Sequence, residues 1–98
     1  MKRYVVIMKV TYEINVRGRV QGVGFRWFVK RQANLIGITG YVKNLVDGSV
    51  LIVAQGEQDS QDAFVSVVKR GSDFAHVKEI STELITSASE YKDFFIAT

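Results

Sequence analysis

The chain contains no cysteine and only one histidine among its 98 residues, and these absences exclude several kinds of chemistry. Without cysteine there is no disulfide, no thiolate nucleophile and no cysteine-based zinc site. The unbroken apolar runs, such as residues 5–8, are too short for a membrane span and lack the form of a secretory signal. We therefore expect a cytoplasmic protein that has no membrane partner.

Acidic residues are absent from residues 14–46, so this segment carries a charge of +6 and the rest of the chain carries −3. Its basic residues are Arg17, Arg19, Arg26, Lys30, Arg31 and Lys43. A segment of one sign raises the local concentration of anionic ligands, although the same charge also suits a surface that only keeps the protein soluble. The absence of carboxylates excludes a magnesium or calcium site in this segment, and we expect neither a metal nor a cofactor.

Residues 18–26 read Gly-Arg-Val-Gln-Gly-Val-Gly-Phe-Arg and lie between a predicted strand and a predicted helix. Gly18, Gly22 and Gly24 lack a Cβ, so the backbone can adopt positive φ there and turn successive amides toward one point. The N-terminus of the following helix adds free amides and the positive end of its dipole. The pattern predicts a site for phosphate or a similar anion.

Arg26 falls in the first turn of that helix, where the helix dipole disfavours a cation by about 0.3–1 kcal/mol. The planar fork of a guanidinium matches phosphoryl oxygens, which gives the residue a reason to be there. The alternative is a surface arginine in a short polar turn. No Gly-Lys-Ser/Thr follows the loop and the Gly-x-Gly-x-x-Gly spacing is broken, so neither a Walker-type nor a Rossmann nucleotide site is predicted.

Hydrophobic patterning and turn residues predict five strands and two helices. The strands are expected at 10–16, 38–46, 49–55, 77–85 and 94–97, with Asp47-Gly48 as the turn of a hairpin. One helix is expected from Phe25 to a stop at Gly37. The other should begin between residues 57 and 60 and run to Arg70, with Phe64, Val67 and Val68 buried.

This order, βαββαβ with an extra short C-terminal strand, predicts a ferredoxin-like two-layer α/β (α+β) sandwich. Its sheet should be mostly antiparallel and covered by two helices. Residues 1–98 are expected to form a single domain. Residues 1–7 are expected to be a strand extension or a loose tail.

Three motifs resemble the acylphosphatase family. Residues 18–26 match its Gly-x-Val-Gln-Gly-Val-x-Phe-Arg loop, and residues 40–44, Gly-Tyr-Val-Lys-Asn, match its Gly-aromatic-Val-x-Asn motif. The ending at 91–96, Tyr-Lys-Asp-Phe-Phe-Ile, resembles the family's Tyr-x-x-Phe-x-Ile close. The likeness covers nearly everything after Lys9.

The resemblance implies an enzyme that hydrolyses the carboxyl–phosphate anhydride of acyl phosphates by in-line attack of water. It assigns catalysis to Arg26, which grips the phosphate, and to Asn44, which orients the water. The implied phosphate-binding residues are Gly18, Arg19, Val20, Gln21, Gly22, Val23, Gly24, Phe25 and Arg26. The partners would be a small acyl phosphate and inorganic phosphate, which is both product and competitive ligand, and we expect a monomer.

The residues themselves favour an easy substrate, because neither a thiol nucleophile nor a metal cluster is evident. A carboxylate leaving group departs without a proton, so no strong general acid is needed. His76 is not expected to act as a base, since neither motif lies near it in the sequence. Gln21 is expected to stabilise the loop through its side chain.

The competing hypothesis is a non-catalytic ferredoxin-like module that binds RNA or another anionic ligand. The basic segment supports it, but no aromatic RNA-binding motif lies on any predicted strand, so nucleic acid is not an expected partner. The motifs also resemble the acylphosphatase-like module of larger hydrogenase-maturation carbamoyltransferases.

Tyr41 stands where the acylphosphatase family commonly has tryptophan. Together with Leu51 and Val53, it predicts an apolar stripe on the open sheet face. Such a stripe could be a core edge, a self-association patch or a binding surface.

Overall fold

The computed structural model describes residues 8–86 and 89–98, so the predicted extension over residues 1–7 lies outside the described residues. The elements in chain order are β1 (Lys9–Arg19), α1 (Phe25–Ile36), β2 (Thr39–Asn44), β3 (Val50–Glu57), α2 (Gln58–Arg70), β4 (His76–Ile85) and β5 (Phe94–Ile96). None of the helices described is long and apolar enough to cross a membrane.

The five strands form one sheet in the order β4-β1-β3-β2-β5. The pairs β1–β3, β1–β4 and β2–β3 are antiparallel, and only β2–β5 is parallel. The predicted ferredoxin-like, mostly antiparallel sandwich is therefore confirmed. The order also brings four features to one end of the sheet: the end of β1, the start of β4, the β2–β3 turn and the start of α1.

Alternating side chains of the central strands form the core beneath the two helices. Ile14 and Val16 of β1 and Ile52 of β3 are fully buried on this face, as strand geometry requires for residues two apart. α2 buries Gln61, Phe64 and Val68. The predicted burial of Val67 is wrong: it lies at intermediate exposure, because residues 61, 64 and 68 set the buried stripe and leave it at the edge.

The strand boundaries differ from those predicted where pairing extends or shortens a strand. β1 continues three residues beyond the predicted end at 16, because its ladder with β4 runs to the pair Arg19–His76. β2 is shorter than predicted, since the chain leaves the strand at Leu45 to make the hairpin. The Asp47-Gly48 turn is confirmed, with Gly48 at φ 92° and its amide donating to the carbonyl of Leu45 at 3.1 Å.

The open face of the sheet is partly covered by the segment that leads into β5. Gln55, which is 7% exposed, donates to the Thr11 hydroxyl at 3.0 Å and to the Ser89 carbonyl at 2.9 Å, and it accepts from the Tyr91 amide at 2.9 Å. Tyr41 packs against the rings of Tyr91 and Phe95, with centroids 6.0 and 5.7 Å away. This burial raises the pKa of the Tyr41 phenol.

The predicted apolar stripe is thus only partly exposed. Val53 is buried at 5% exposure beside Tyr41, its partner across β2 and β3. Leu51 and Tyr41 are half-buried. Of the three roles considered for the stripe, the edge of a core is the one that fits Val53.

Candidate active site

The turn between β1 and α1 consists of residues 20–24 and presents free backbone amides. Gly22 and Gly24 adopt φ 73° and 76°, in the left-handed region that favours glycine. α1 begins with the Phe28 amide donating to the Gly24 carbonyl at 3.1 Å. Among residues 8–86 and 89–98, no side chain caps this end, and no acidic residue lies in its first turn. The amides of the first turn, which have no acceptor within the helix, are therefore not capped by these residues. Such a helix start is suited to an anion.

Gly18 has a different structural role from the other two glycines. The prediction that residues 18 and 19 belong to the loop is wrong, since both are the last residues of β1. A Cβ at Gly18 would lie 2.2 Å from the His76 carbonyl oxygen, where a register shift brings β1 and β4 close together. Gly18 is therefore required by strand packing at this bulge.

Arg26 occupies the first turn of α1 directly after this loop and is half-buried. The two ion pairs found among residues 8–86 and 89–98 join Lys9 to Glu90 and Arg17 to Asp47. Within the same ranges Arg26 thus has no carboxylate partner. Its guanidinium remains available to a ligand bound at the loop.

Asn44 is the last residue of β2 and lies on the helix-covered side of the sheet, two residues after the buried Val42. Its Oδ1 atom is buried and accepts no hydrogen bond from the described part of the chain. An unsatisfied buried acceptor costs about 1–3 kcal/mol. A water that donates to this oxygen would remove the cost and would itself be held in a fixed position.

Gln21 connects the loop to the hairpin that follows Asn44. Its Nε2 donates to the carbonyls of Leu45 at 2.8 Å and Ser49 at 2.9 Å. One amide group therefore spans both sides of the β2–β3 turn. The sequence predicted that Gln21 stabilises the loop, and these bonds show how its side chain does so.

The β2–β3 turn is further fixed by a polar network that the sequence analysis missed. Asp47 accepts from the amide of Ser49 at 2.9 Å and from its hydroxyl at 2.6 Å. Asn15 donates to the same hydroxyl at 3.0 Å, and Arg17 lies 3.5 Å from Asp47. The bonds from Ser49, and then the charge of Arg17, lower the pKa of Asp47. An Asp two residues before a Ser at a hairpin was the available indication.

A basic cavity of about 480 Å³ lies between this turn, the end of β1 and the start of β4. It is lined by Arg17, Arg19, Lys78 and His76, together with Asp47. The structure therefore places Arg19 at this cavity and in β1, rather than within the glycine turn. His76 is exposed at the first position of β4, at the outer edge of the sheet.

In the part of the chain that the structure describes, the candidate groups around the loop are backbone amides, the Arg26 guanidinium and the Asn44 carboxamide. No group of three histidine, aspartate or glutamate side chains that could hold a metal occurs in the described ranges. An anion at the loop would face the amides of the first helical turn, and the two candidate residues are Arg26 on α1 and Asn44 at the end of β2. The fold and this site define a small α+β protein built to bind a phosphate-like group.

Comparison with known proteins identifies the family. The acylphosphatase family model matches residues 12–96, and the chain belongs to the acylphosphatase family. An acylphosphatase from Archaeoglobus fulgidus is 46% identical over 88 residues, which cover 90% of this chain and 98% of the relative. One from Caldanaerobacter subterraneus subsp. tengcongensis is 40% identical over 89 residues, covering 91% and 99%.

The structural comparison agrees with this assignment. The crystal structure of acylphosphatase from Bacillus subtilis superposes with a TM-score of 0.88 at 43% identity. The match covers 91% of this chain and 99% of that one. The resemblance seen in the sequence motifs is therefore confirmed in both sequence and fold, and the binding-module hypothesis is not favoured.

Proposed function

We propose that this acylphosphatase uses the glycine turn and Arg26 to hold the phosphoryl group, and Asn44 to hold the attacking water. The observation that carries the proposal is the unsatisfied Asn44 Oδ1, buried at the end of β2 and linked through the Gln21 hydrogen bonds to an uncapped helix start. The unsatisfied oxygen suits a water, and the uncapped helix start suits an anion.

Arg26 and the loop amides stabilise charge on the equatorial phosphoryl oxygens. Asn44 Oδ1 accepts a hydrogen bond from the water. This orients the water so that a lone pair of its oxygen is free to attack phosphorus. The new bond joins the water oxygen to phosphorus, and the bond that breaks joins phosphorus to the acyl oxygen. That electron pair leaves with the carboxylate, and the proton of the water passes to a phosphoryl oxygen of the substrate.

The reaction as written needs no metal ion, because the amides and the guanidinium supply the positive charge. Hydrolysis of acetyl phosphate should proceed at the same rate in excess EDTA, measured as release of inorganic phosphate. Phosphate monoesters should react negligibly, since an alkoxide leaving group needs a general acid that the proposed site lacks. Loss of acetyl phosphate hydrolysis on chelation would refute the metal-free reaction. If the protein does not hydrolyse acetyl phosphate under any condition, the proposed chemistry is wrong.

Inorganic phosphate is the second ligand of the proposed site. As product it should inhibit competitively and should stabilise the folded state by RT ln(1 + [L]/Kd), which is about 2.7 kcal/mol at a hundredfold excess over Kd. We further propose that the enzyme acts as a cytoplasmic monomer and has no nucleic acid partner. Sedimentation in the presence and absence of RNA tests both the oligomeric state and the absence of RNA binding.

A further inference from the structure

A small cavity of about 250 Å³ lies between α2 and the strands β1 and β4. Its lining residues are Tyr12, Gln58, Gln61, Asp62, Val65 and Thr82. Tyr12 precedes Arg19, the last residue of β1, by seven positions, which at the rise of a strand is roughly 23 Å. The cavity is therefore far from the glycine turn that follows Arg19, and none of its lining residues belongs to the proposed phosphate site.

Gln61 lines the cavity with a side chain that is 0% exposed. Its Nε2 donates to the carbonyl of Val10 at 3.0 Å and to that of Ala54 at 2.6 Å. Only the NH₂ end of a carboxamide can donate to two carbonyls, so these bonds fix the orientation of the group. The other end, Oε1, is buried and accepts no hydrogen bond from the residues that the structure describes. A donor placed in the cavity would supply the missing bond.

The other polar side chains of the cavity use most of their donors on one another. Tyr12 Oη donates to Gln58 Oε1 at 3.1 Å, and Gln58 Nε2 donates to Asp62 Oδ1 at 2.9 Å. The side chains of Tyr12, Gln58 and Gln61 carry five donor hydrogens, and the four bonds described use all but one of them. The lone pairs that remain, on the carboxylate and the two amide oxygens, make the cavity rich in acceptors.

The charge of the cavity has the sign that such acceptors favour. Asp62 is exposed, and neither of the two ion pairs found among residues 8–86 and 89–98 involves it. No lysine, arginine or histidine is among the lining residues. The occupant should therefore be a cation that donates hydrogen bonds. One carboxylate is few for Mg²⁺ or Ca²⁺, which want several oxygen ligands, whereas the side chain of Val65 offers an apolar wall that suits an alkyl chain.

We propose that this cavity binds the ammonium group of a small primary alkylamine. The N–H groups of the ligand donate to Gln61 Oε1 and to the Asp62 carboxylate, and its alkyl chain covers Val65. The volume of the cavity is below the roughly 300 Å³ at which pockets for drug-sized ligands begin, so a short aliphatic chain fits it best. The site is independent of the proposed function, because no group of the proposed reaction takes part in it.

Nuclear magnetic resonance on the parent protein tests the site directly. n-Butylammonium chloride is titrated in place of sodium chloride at constant ionic strength, and the Nε2 amide signals of Gln61 are followed. These signals should shift saturably, because a bond to Oε1 polarises the whole carboxamide. The melting temperature should rise over the same range of concentration, since the ligand binds the folded state.

Two other cations separate hydrogen bonding from charge. Tetramethylammonium has the same charge and no N–H group, so it should cause neither change. Potassium ions should likewise leave the Gln61 signals in place. A response to either cation equal to that for n-butylammonium would overturn the proposal, and so would unchanged Gln61 signals with n-butylammonium at every concentration.

Asp62→Asn is the variant that removes the negative charge at an exposed position and keeps the side-chain shape. It should weaken n-butylammonium binding about tenfold or more, because a charge-assisted bond becomes a neutral one. Asp59→Asn is the matched control: Asp59 is an exposed acid on the same helix and does not line the cavity. Its affinity should equal that of the parent, and equal affinities in the two variants would refute the role of Asp62.

Gln61→Met removes the buried oxygen and keeps a side chain of similar length. The folded variant, checked by circular dichroism, should lose saturable n-butylammonium binding, measured by isothermal titration calorimetry. Binding that persists at the parent affinity would show that Gln61 Oε1 is not a ligand contact. If this variant does not fold, the shift of the Gln61 signals in the parent and the Asp62→Asn result decide the proposal between them.

Discussion

The two helices are nearly equal in length and pack on the same sheet face, yet their charges follow opposite rules. α2 has Asp59 in its first turn and Lys69 and Arg70 in its last turn, as the helix dipole favours. α1 has no acidic residue in its first turn and no basic residue in its last, and it places Arg26 at its start. The end of α1 that carries a disfavoured charge, Arg26, is the end that meets the glycine turn. Helix stability accounts for the charges of α2, whereas α1 has charges that suit a bound anion.

The largest expected effect comes from removing the cation at the start of α1. Arg26→Ala should lower turnover of acetyl phosphate by at least about 10³-fold, as for other arginines that stabilise phosphoryl transfer. It should also abolish the rise in melting temperature caused by inorganic phosphate. Arg26→Lys should recover little of either property, because it lacks the planar fork.

Arg70→Ala removes a cation from the end of α2 and is the matched control. Its turnover and its phosphate-induced shift should equal those of the parent. An Arg26→Ala protein that kept the same phosphate-induced shift as Arg70→Ala would show that the two helix arginines do not differ in function.

Substitution of Asn44, at the end of β2, should have a smaller effect on phosphate binding but a large effect on the rate of hydrolysis. Asn44→Ala should lower kcat on the order of 10²-fold through loss of water positioning, and should leave phosphate affinity within a few-fold of the parent. Asn15→Ala is the control: Asn15 lies on β1, and its side chain bonds to Ser49 of the same hairpin. It should reduce stability without reducing kcat, and near-parent kcat in folded Asn44→Ala would contradict the role of Asn44.

The two ends of α1 permit a comparison within one helix. Gly24 precedes it at φ 76° and Gly37 follows it at φ 94°, and a Cβ at either would meet nothing within 4 Å. Alanine should therefore lower the free energy of unfolding by about 1–2 kcal/mol at both positions through backbone strain alone. Only Gly24→Ala should weaken phosphate binding, because relief of that strain rotates amides of the proposed site.

Urea unfolding measures the loss of stability in the Gly24→Ala and Gly37→Ala variants, and a phosphate titration measures the loss of phosphate affinity. Equal phosphate affinity in the two variants would mean that the backbone at residue 24 does not contribute to the site.

The smallest effect concerns stability in the absence of a ligand. Arg26→Gln should raise the free energy of unfolding by about 0.3–1 kcal/mol, whereas Arg70→Gln should lower it by a similar amount, since the dipole acts with opposite sign at the two positions. Both differences should shrink in high salt. Urea unfolding in phosphate-free buffer checks the signs, and the same sign in both variants would remove the electrostatic contrast between the helices.

The fold was predictable because local patterns decided most of it. The helix stop at Gly37, the Asp47-Gly48 turn and the order of helices and strands along the chain needed only periodicity and turn residues. Boundaries depended on partners distant in sequence: the extension of β1 to Arg19 follows from its pairing with His76. The role of Gly18 was missed for the same reason, since nothing local reveals the approach of β4.

The sequence named candidate residues for the site, but it did not indicate the hydrogen bonds around them. The motifs identify Arg26 and Asn44, but the hydrogen bonds that join the loop to the hairpin cross more than twenty positions. The Ser49 network likewise arises from tertiary packing. Side chains brought together by packing leave little trace in local patterns.

The two hydrogen bonds of Gln21 have a consequence for the speed of binding. Because they join the loop to both arms of the β2–β3 hairpin, we expect the loop and Asn44 to move together. An anion that binds at the proposed site should then find it already assembled, without a slow closure step after collision. Association should proceed in one step near the diffusion limit, accelerated by the surrounding positive charge.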